Sequence, residues 1–549
     1  MNAPTSRTAV LPMATLYPHQ TQGIAFLKRH GRAILADDMG LGKTRQAICA
    51  VGETSPSGTV LVICPASIKL NWEREIRVVE PDAAIEVIGV KGHSAPDGAQ
   101  PRWVIVNYDQ LSRNAAKLAA VPWAGVIVDE AHFIKNASQR TSQVLKIIGA
   151  TGDAGSHVPP QVYLLTGTPM PNRPRDLFNL LRATGHPSAR SFLSFAKRYC
   201  GAYRNDYGWV TDGASNLDEL NLLLKEVMLR RKKDDVLDLP PKIRTWVPVA
   251  VEGAAAARAQ SDFTGWFLGA DASRPNDHAF LAHLTKLRLA LHKAKHAACA
   301  ERIRDVLATG QKVVVFTCYT EGVLRHKKAL GEKAVTITGS NTASQRLAAV
   351  DAFQSDPEIR VALCNLIAGG VGITLTAGTH VIFQDLDWVP ANHLQAEDRC
   401  YRIGQKEPVT VEYLIADGTL DGYIATLLDT KLALIHSVEA ETVPDASILA
   451  DLQAKLQNLG PALLQENKAA AAVGAAAMRI EAIGDLVGHL PKTSPLVEAG
   501  AWEFPSSRDP DKVYRVTFGR AGHLECTCEG FKFRGECSHV REVRKTALN

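Results

Sequence analysis

Short apolar runs separated by polar, amphipathic stretches organise most of this chain. From residue 1 to about 240 the runs TVLVIC (59–64), RWVIVNY (102–108), GVIVDE (125–130) and VYLLTGT (162–168) read as buried strands. Continuous apolar runs, rather than apolar–polar alternation, predict strands covered on both faces. That is the pattern of a parallel sheet with helices packed on either side. The stretch 175–230 carries no strong strand signal and reads as helices. It closes on Arg230, Arg231, Lys232 and Lys233, followed by DDVLDLPPK, where Pro240-Pro241 ends the segment.

A second helical stretch runs to about 309, and then the alternation resumes. KVVVFTCY (312–319), AVTITG (334–339), RVALCN (360–365), HVIFQD (380–385) and VTVEYLI (409–415) predict a second parallel sheet of similar size. From 440 to 500 the pattern turns helical and alanine-rich. Leu449, Leu452, Leu456, Leu459 and Leu463 repeat at 3-4-3-4 spacing there, which reads as an ordinary packing helix rather than a coiled coil. The fold class expected is α/β: two parallel-sheet domains with helical insertions, a helical spacer and a small C-terminal module. The boundaries expected are 1–240, a helical linker or protrusion at 241–300, 301–440, a spacer at 441–500 and a module at 501–549.

Composition narrows this little. The chain has 549 residues, room for roughly two to four domains. It is 46% apolar and 22% charged with a net charge of +5, so any nucleic-acid contact must come from local patches. The apolar run AAAAVGAAAM (469–478) falls well short of the ~20 residues of a membrane helix. The opening MNAPTSRTAV has no apolar core after its one Arg, so no signal peptide is expected. A cytoplasmic location is expected, nucleoid-associated in a bacterial or phage source and nuclear in a eukaryotic one. Seven of the ten cysteines are scattered singly and suit small buried hydrophobes, while Cys526, Cys528 and Cys537 cluster in the tail.

Candidate chemistry starts at residues 36–44, ADDMGLGKT. A small-residue-rich turn ending in Gly-Lys-Thr, after the apolar AIL (33–35) and before a helical pattern, offers a nest of backbone N–H groups for polyphosphate. Lys43 is placed to reach the β- and γ-phosphates and Thr44 a Mg²⁺ ion. Asp37 stands where the common phosphate loop has its first glycine. About 90 residues later VDEAH (128–132) ends a strand with Asp129 and Glu130. Carboxylates at a strand's C-terminal end lie where open α/β sheets bind ligands. Asp129 would hold Mg²⁺ through water, and Glu130 would position or deprotonate the attacking water. TGTP (166–169) sets two hydroxyls around a glycine after the fourth strand. In the second half, QAEDRCYRIGQ (395–405) carries Arg399 and Arg402 three residues apart, on one face of a helix. Arginine supplied from a facing domain can neutralise charge developing on a γ-phosphate. Between 286 and 304 six Lys/Arg stand against one acid, Glu301, a basic helix face for phosphates or for solvent. In the tail, Cys526-x-Cys528, eight residues, then Cys537-x-His539 supplies four ligands of the kind Zn²⁺ prefers, with no open position. Phe531, Lys532, Phe533 and Arg534 between the pairs suit nucleic acid or a protein partner.

Together these motifs resemble the helicase-like ATPases of superfamily two and, more narrowly, the Swi/Snf-type DNA translocases. The resemblance runs from about 15 to 435. YPHQTQGIAFL is similar to that family's adenine-contacting segment, with Gln20 as the contact. DDMGLGKT matches its phosphate loop, which implies nucleotide contacts at Asp37, Asp38, Met39, Gly40, Leu41, Gly42, Lys43 and Thr44. VLVICPASIKLNWERE (60–75), VDEAHFIKN (128–136), LTGTPMPN (165–172), LRRKKDDVLDLPPK (229–242), AGGVGITLTAGTHVIFQDLDWVP (368–390) and DRCYRIGQ (398–405) occur in the family's order. One departure is Tyr401, where most members carry His. TKLRLALHKAKH (285–296) looks closest to the fork-remodelling, strand-annealing branch, whose accessory modules are not evident ahead of Gln20. The tail resembles the SWIM zinc finger, and the strand-like YRVTF (514–518) fits that module.

The resemblance implies two RecA-like halves with ATP and Mg²⁺ in the cleft. The function expected is a DNA-dependent ATPase that translocates on duplex or branched DNA without sequence specificity, the finger targeting nucleic acid or a protein, and no membrane. The alternatives are a strand-separating DNA or RNA helicase, and an ATP-switched recruitment module. The intact Lys43, Glu130, Arg399 and Arg402 speak against a dead enzyme.

Overall fold

The computed structural model describes residues 16–428, apart from 96–99, 151–156, 168–173, 251–255, 262–276 and some single or paired positions, together with three strands between 502 and 526. The chain divides into two compact units, Met1–Ile480 and Glu481–Asn549.

The first unit holds two parallel sheets. The first sheet is built of β1 (Arg32–Leu35), β2 (Val60–Cys64), β3 (Ile85–Val87), β4 (Trp103–Asn107), β5 (Gly125–Asp129), β6 (Gln161–Leu165) and β9 (Met228–Leu229). Their order is β3-β4-β2-β5-β6-β1-β9, all pairs parallel. Every residue of β2, β4 and β5 is buried, which is why the apolar runs are unbroken. Three helices pack against this sheet: α1 (Pro18–His30), α2 (Lys43–Thr54) and α3 (Lys69–Val79), the last two starting just after the C-terminal ends of β1 and β2. Between 175 and 230 helices dominate, as expected, but the stretch also carries an antiparallel hairpin, β7 (Tyr203–Asn205) with β8 (Gly208–Val210).

The second sheet contains β10 (Lys242–Val249), β11 (Val313–Thr317), β12 (Ala334–Ile337), β13 (Val361–Asn365), β14 (His380–Phe383) and β15 (Val409–Ala416), in the order β10-β15-β14-β11-β13-β12. The sequence pattern places β10 inside a helical stretch. It is instead a full edge strand, pairing with β15 from Lys242↔Val409 to Val249↔Ala416. Its half-exposed sequence KIRTWVPV gives no apolar run, because one edge faces solvent. The long helix Asp277–Ala308 packs on this sheet rather than linking domains: Leu287, Leu291, Cys299 and Ile303 are buried in the second sheet's cores.

The second unit, among described residues, is a three-stranded antiparallel sheet of β16 (Trp502–Pro505), β17 (Val513–Phe518) and β18 (Leu524–Cys526). β17 falls where YRVTF predicts a strand. The leucine repeat at 449–463 lies outside the described residues. No helix among the described residues is long and apolar enough to cross a membrane.

A buried ion cluster ties β10 to the second sheet. Glu397, fully buried at the end of helix Pro390–Glu397, accepts from Lys242 Nζ at 2.8 Å, Arg244 Nε at 2.7 Å and the Tyr413 hydroxyl at 2.6 Å. Burial alone would raise its carboxyl. Lys242 and Arg244 outweigh that and hold it down at about 2. A folded value below the ordinary 4.5 means that the stabilisation is present above pH 4.5 and lost as pH falls toward about 2. Glu397→Gln is expected to lower the unfolding free energy at pH 7 by about 3–5 kcal/mol, because two cations lose their buried partner. Urea titration should show this gap to wild type narrowing below pH 4.5. A gap under about 1 kcal/mol at pH 7 would contradict the assignment.

Candidate functional site

The loop after β1 is shaped by its glycines. Gly40 (φ 87°) and Gly42 (φ 73°) take left-handed conformations, and α2 starts at Lys43 with Gly42 as its N-cap. A side chain at Gly42 is excluded twice, since a Cβ there would sit 2.2 Å from Gln20 Nε2. α1 lies against the same loop. His19 Nε2 lies 3.1 Å from the Leu41 carbonyl, and Gln20 donates to that carbonyl at 3.4 Å. Lys43 folds back over the turn, its Nζ donating to the carbonyls of Asp37 at 2.6 Å and Asp38 at 3.1 Å. Burial lowers its ammonium, against the pull of Glu130 and Asp37.

The acids sit at the end of β5, two strands from β1. The registers Leu35↔Leu165 and Asp129↔Leu165 bring the ends of β1, β6 and β5 into one row, the crevice where open sheets hold ligands. Asp129 accepts from Trp72 Nε1 of α3 at 2.8 Å and from the Glu130 backbone N–H at 2.9 Å. The Tyr108 hydroxyl donates to the Asp129 carbonyl at 2.7 Å. Glu130 adopts φ 51°, one of two left-handed non-glycine residues among those described, the other being Asn216. Such strain at a strand end is characteristic of functional positions. Its Oε2 lies 3.2 Å from His132 Nδ1, yet neither atom makes a directed hydrogen bond. Burial, then the neighbouring Glu130 charge, pushes Asp129 up to about 6. Burial also works against the Glu130 carboxylate, but His132, Lys43 and Arg399 outweigh it and hold it ionised.

The second sheet brings its arginines to this loop. Arg399 Nη2 lies 3.9 Å from Met39 Sδ, and a Cβ on Gly40 would meet Arg402 Cβ at 2.7 Å. The other bonds of these guanidinium groups go to carbonyls: Arg399 Nε to Gln395 at 2.9 Å and Arg402 Nη1 to Ile373 at 3.1 Å. Neither has a carboxylate within ion-pair reach among the described residues. Burial, then the like charge of Arg399, brings Arg402 down to about 10. A buried Arg399 and a half-buried Arg402, with no carboxylate in ion-pair reach among the described residues, stand beside a loop of backbone N–H groups, an arrangement suited to an anion.

Two sets of candidate residues carry structural commitments of their own. Asp37 is fully buried, chelated by Arg231 through Nε at 2.9 Å and Nη2 at 2.5 Å. Gln46 of α2 donates to the same carboxylate at 3.3 Å. The Asp37 carboxylate is thus engaged in holding the loop's shape. Asp38 likewise spends its Oδ2 on the backbone N–H of Lys233, at 2.9 Å. The basic stretch 286–304 is also largely committed: Lys295 pairs with Asp421 at 2.5 Å, Arg302 with Glu412 at 2.5 Å, and Arg288 donates to the Leu386 carbonyl at 2.7 Å. Lys286, Lys293 and Arg304 stay exposed.

Of TGTP, a Cβ on Gly167 would press on Met39 Cγ at 2.7 Å, so this turn backs the phosphate loop, while Thr168 and Pro169 lie outside the described residues. Thr44 lies in the first turn of α2. Cys526 ends β18; Cys528, Cys537 and His539 lie outside the described residues. Sequence reasoning misses Trp72, Tyr108 and Arg231. Trp72 lies in the charged, amphipathic KLNWEREIR, Tyr108 ends the apolar run RWVIVNY, and Arg231 is visible only as one of four consecutive basic residues.

An SNF2-related domain matches residues 19–256, and a helicase conserved C-terminal domain matches 298–404. The cattle protein named "DNA annealing helicase and endonuclease ZRANB3" is 36% identical over 445 residues, which cover 77% of this chain and 40% of that protein. The Xenopus tropicalis "SWI/SNF-related matrix-associated actin-dependent regulator of chromatin subfamily A-like protein 1" is 33% identical over 436 residues, covering 77% and 45%. The chain thus spans less than half the length of these relatives. A Sulfolobus solfataricus SWI2/SNF2 ATPase core in complex with dsDNA is 27% identical, covering 76% of this chain and 92% of that one, with a TM-score of 0.37.

Asp37→Ala is expected to cost about 3–5 kcal/mol in urea unfolding, because it strands the Arg231 guanidinium in the interior. A loss under about 1 kcal/mol would show the pair to be solvent-screened and dispensable.

Proposed function

We propose, from the premise that this chain carries the helicase-like ATPase domains of the SNF2 family, that it hydrolyses ATP with Mg²⁺ to drive movement along duplex or branched DNA. The observation that carries this reading is the meeting of Arg399 and Arg402, without carboxylate partners among the described residues, with the glycine loop and Glu130. That set fits a polyphosphate. The N–H groups of the loop and α2 would hold the phosphates, Lys43 would leave the loop carbonyls to reach them, and Gln20 would face the base. Thr44 and Asp129 would hold Mg²⁺, an ion that takes one or two protein ligands and completes its shell with water and phosphate oxygens. Glu130, kept ionised and strained into place, would orient water and accept its proton. The arginines would counter the charge that spreads over the γ-phosphoryl group, so closure of the two sheets and hydrolysis would be one event.

DNA would be gripped through its phosphates, which gives affinity without sequence choice. Branched DNA as the preferred form is favoured by the likeness to a protein named as a DNA annealing helicase. The zinc module remains part of the proposal on its Cys-x-Cys and Cys-x-His spacing and on the strands β17 and β18 that lead into it. It would target nucleic acid or a protein partner.

Turnover measured with duplex DNA, single-stranded DNA and RNA separates the readings. Stimulation by duplex or branched DNA is expected; stimulation only by RNA would replace the proposal with an RNA helicase. Lys43→Ala should abolish hydrolysis and leave DNA binding intact. Glu130→Gln should bind ATP but turn over very slowly, whereas a collapse of ATP affinity would make Glu130 structural. Arg399→Ala or Arg402→Ala should cut turnover about 10³-fold with little change in nucleotide affinity. Protein purified without chelator should contain one Zn²⁺ per chain, and metal analysis finding none would remove the finger.

A further inference from the structure

Where the chain leaves the first sheet, its path is fixed by register. β9 pairs parallel with β1, Leu35↔Leu229, so residues 230–233 emerge alongside the phosphate loop. A ladder continues the pairing: Ala36 N donates to the Leu229 carbonyl at 2.7 Å, Asp38 N to the Arg231 carbonyl at 3.0 Å, and Lys233 N to Asp38 Oδ2 at 2.9 Å. Arg230, Arg231 and Lys232 thus run as an extended strap along the loop, riveted by Arg231 on Asp37, and Lys233 opens the short helix Lys233–Val236.

The Lys233 side chain then turns away from the first sheet. Its Nζ donates to Asp398 Oδ1 at 2.6 Å and to the Tyr401 carbonyl at 2.9 Å, and it stands 5.2 Å from the centre of the Tyr401 ring. Only 8% of the side chain is exposed, so its charge depends on those partners. Asp398 immediately precedes Arg399, and Tyr401 immediately precedes Arg402. One residue therefore bonds through its backbone to the phosphate loop and through its ammonium to the turn that presents both arginines. A displacement of the loop's Asp38 moves Lys233, and a moved Lys233 drags or releases Asp398. If the sheets part, a buried ammonium and a buried carboxylate must each be hydrated or left unpaired.

We propose that Lys233 is a positioning residue that couples the phosphate loop to Arg399 and Arg402, so that the state of the loop sets whether the arginines are presented. The inference rests on the reading of this site as a nucleotide hydrolase. Lys233 touches no reacting atom and acts through Asp398 and the Tyr401 carbonyl.

Steady-state hydrolysis by the full chain with duplex DNA, beside equilibrium binding of a fluorescent ATP analogue, tests it. Lys233→Ala and Asp398→Ala should each lower kcat about 10- to 100-fold while the analogue's Kd stays within about threefold, the pattern of lost transition-state presentation. The double variant should be no slower than either single one, because both remove the same link. Lys233→Asp combined with Asp398→Lys should recover at least about threefold over Lys233→Asp alone, a rescue that a merely structural lysine would not show. Lys233→Arg and Asp398→Asn, closer in shape, serve if the alanine variants do not fold. Multiplicative losses in the double variant, or a kcat within twofold of wild type for folded Lys233→Ala or Asp398→Asn, would overturn the coupling and leave the hydrolase reading standing. Absence of hydrolysis by wild type would instead overturn the hydrolase reading and the coupling with it.

Discussion

The buried Asp37–Arg231 pair fixes the shape of the Gly40–Gly42 loop, and a loop proposed to bind phosphate through bare N–H groups depends on that fixed shape. Glycines at 40 and 42 supply the left-handed turns but also make the loop floppy in isolation. Rigidity has to come from outside. It comes from Asp37 at the end of β1, chelated by a guanidinium from 194 residues further on, with Gln46 completing the shell. The pair is worth retaining because its failure is costly: either charge alone in that interior would be stranded. Everything else at the site is arranged around the loop so held, from α1 pressing Gln20 against Gly42 to the turn at Gly167 backing Met39.

Two ion pairs that join the halves of the first unit differ in magnitude. Arg74 of α3 meets Asp351 of helix Ala343–Ser355 in a bidentate pair at 2.6 and 2.7 Å, but both side chains are 46% exposed. Such a pair contributes on the order of 0–1 kcal/mol and can break and re-form cheaply. Lys233–Asp398, almost dry, cannot. In the proposed closing cycle the two would divide the work: the weak contact at the rim would guide approach, and the dry one beside the arginines would make closure decisive.

Much of this is legible in the chain. The nine strands predicted from apolar runs are strands, because a parallel sheet covered on both faces leaves no polar alternation to confuse the pattern. The glycine loop, the strand-end acids and the paired arginines stand out in the chain as few residue types at fixed spacing, and the structure brings them close together. The omissions have the same origin. β10 sits at an edge, so KIRTWVPV carries charged and apolar residues mixed and reads as no element. β9 is only two residues long. Asp37 looks like a ligand because its neighbours are, and only the arrival of Arg231 from beyond β9 shows that its carboxylate is spent. The basic face of helix Asp277–Ala308 looks free because its acidic partners, Glu412 and Asp421, lie more than 100 residues away. Long-range charge pairing leaves no local signature.

In the proposed function, hydrolysis at this site is converted into motion along DNA by one cleft closing on nucleotide. Displacement of a third strand from a duplex, followed in real time with ATP, reads that conversion without requiring the duplex to open. Displacement is expected by wild type with ATP and Mg²⁺, and none with a non-hydrolysable analogue or with Lys43→Ala. DNA-stimulated hydrolysis at full rate with the third strand left in place would contradict it.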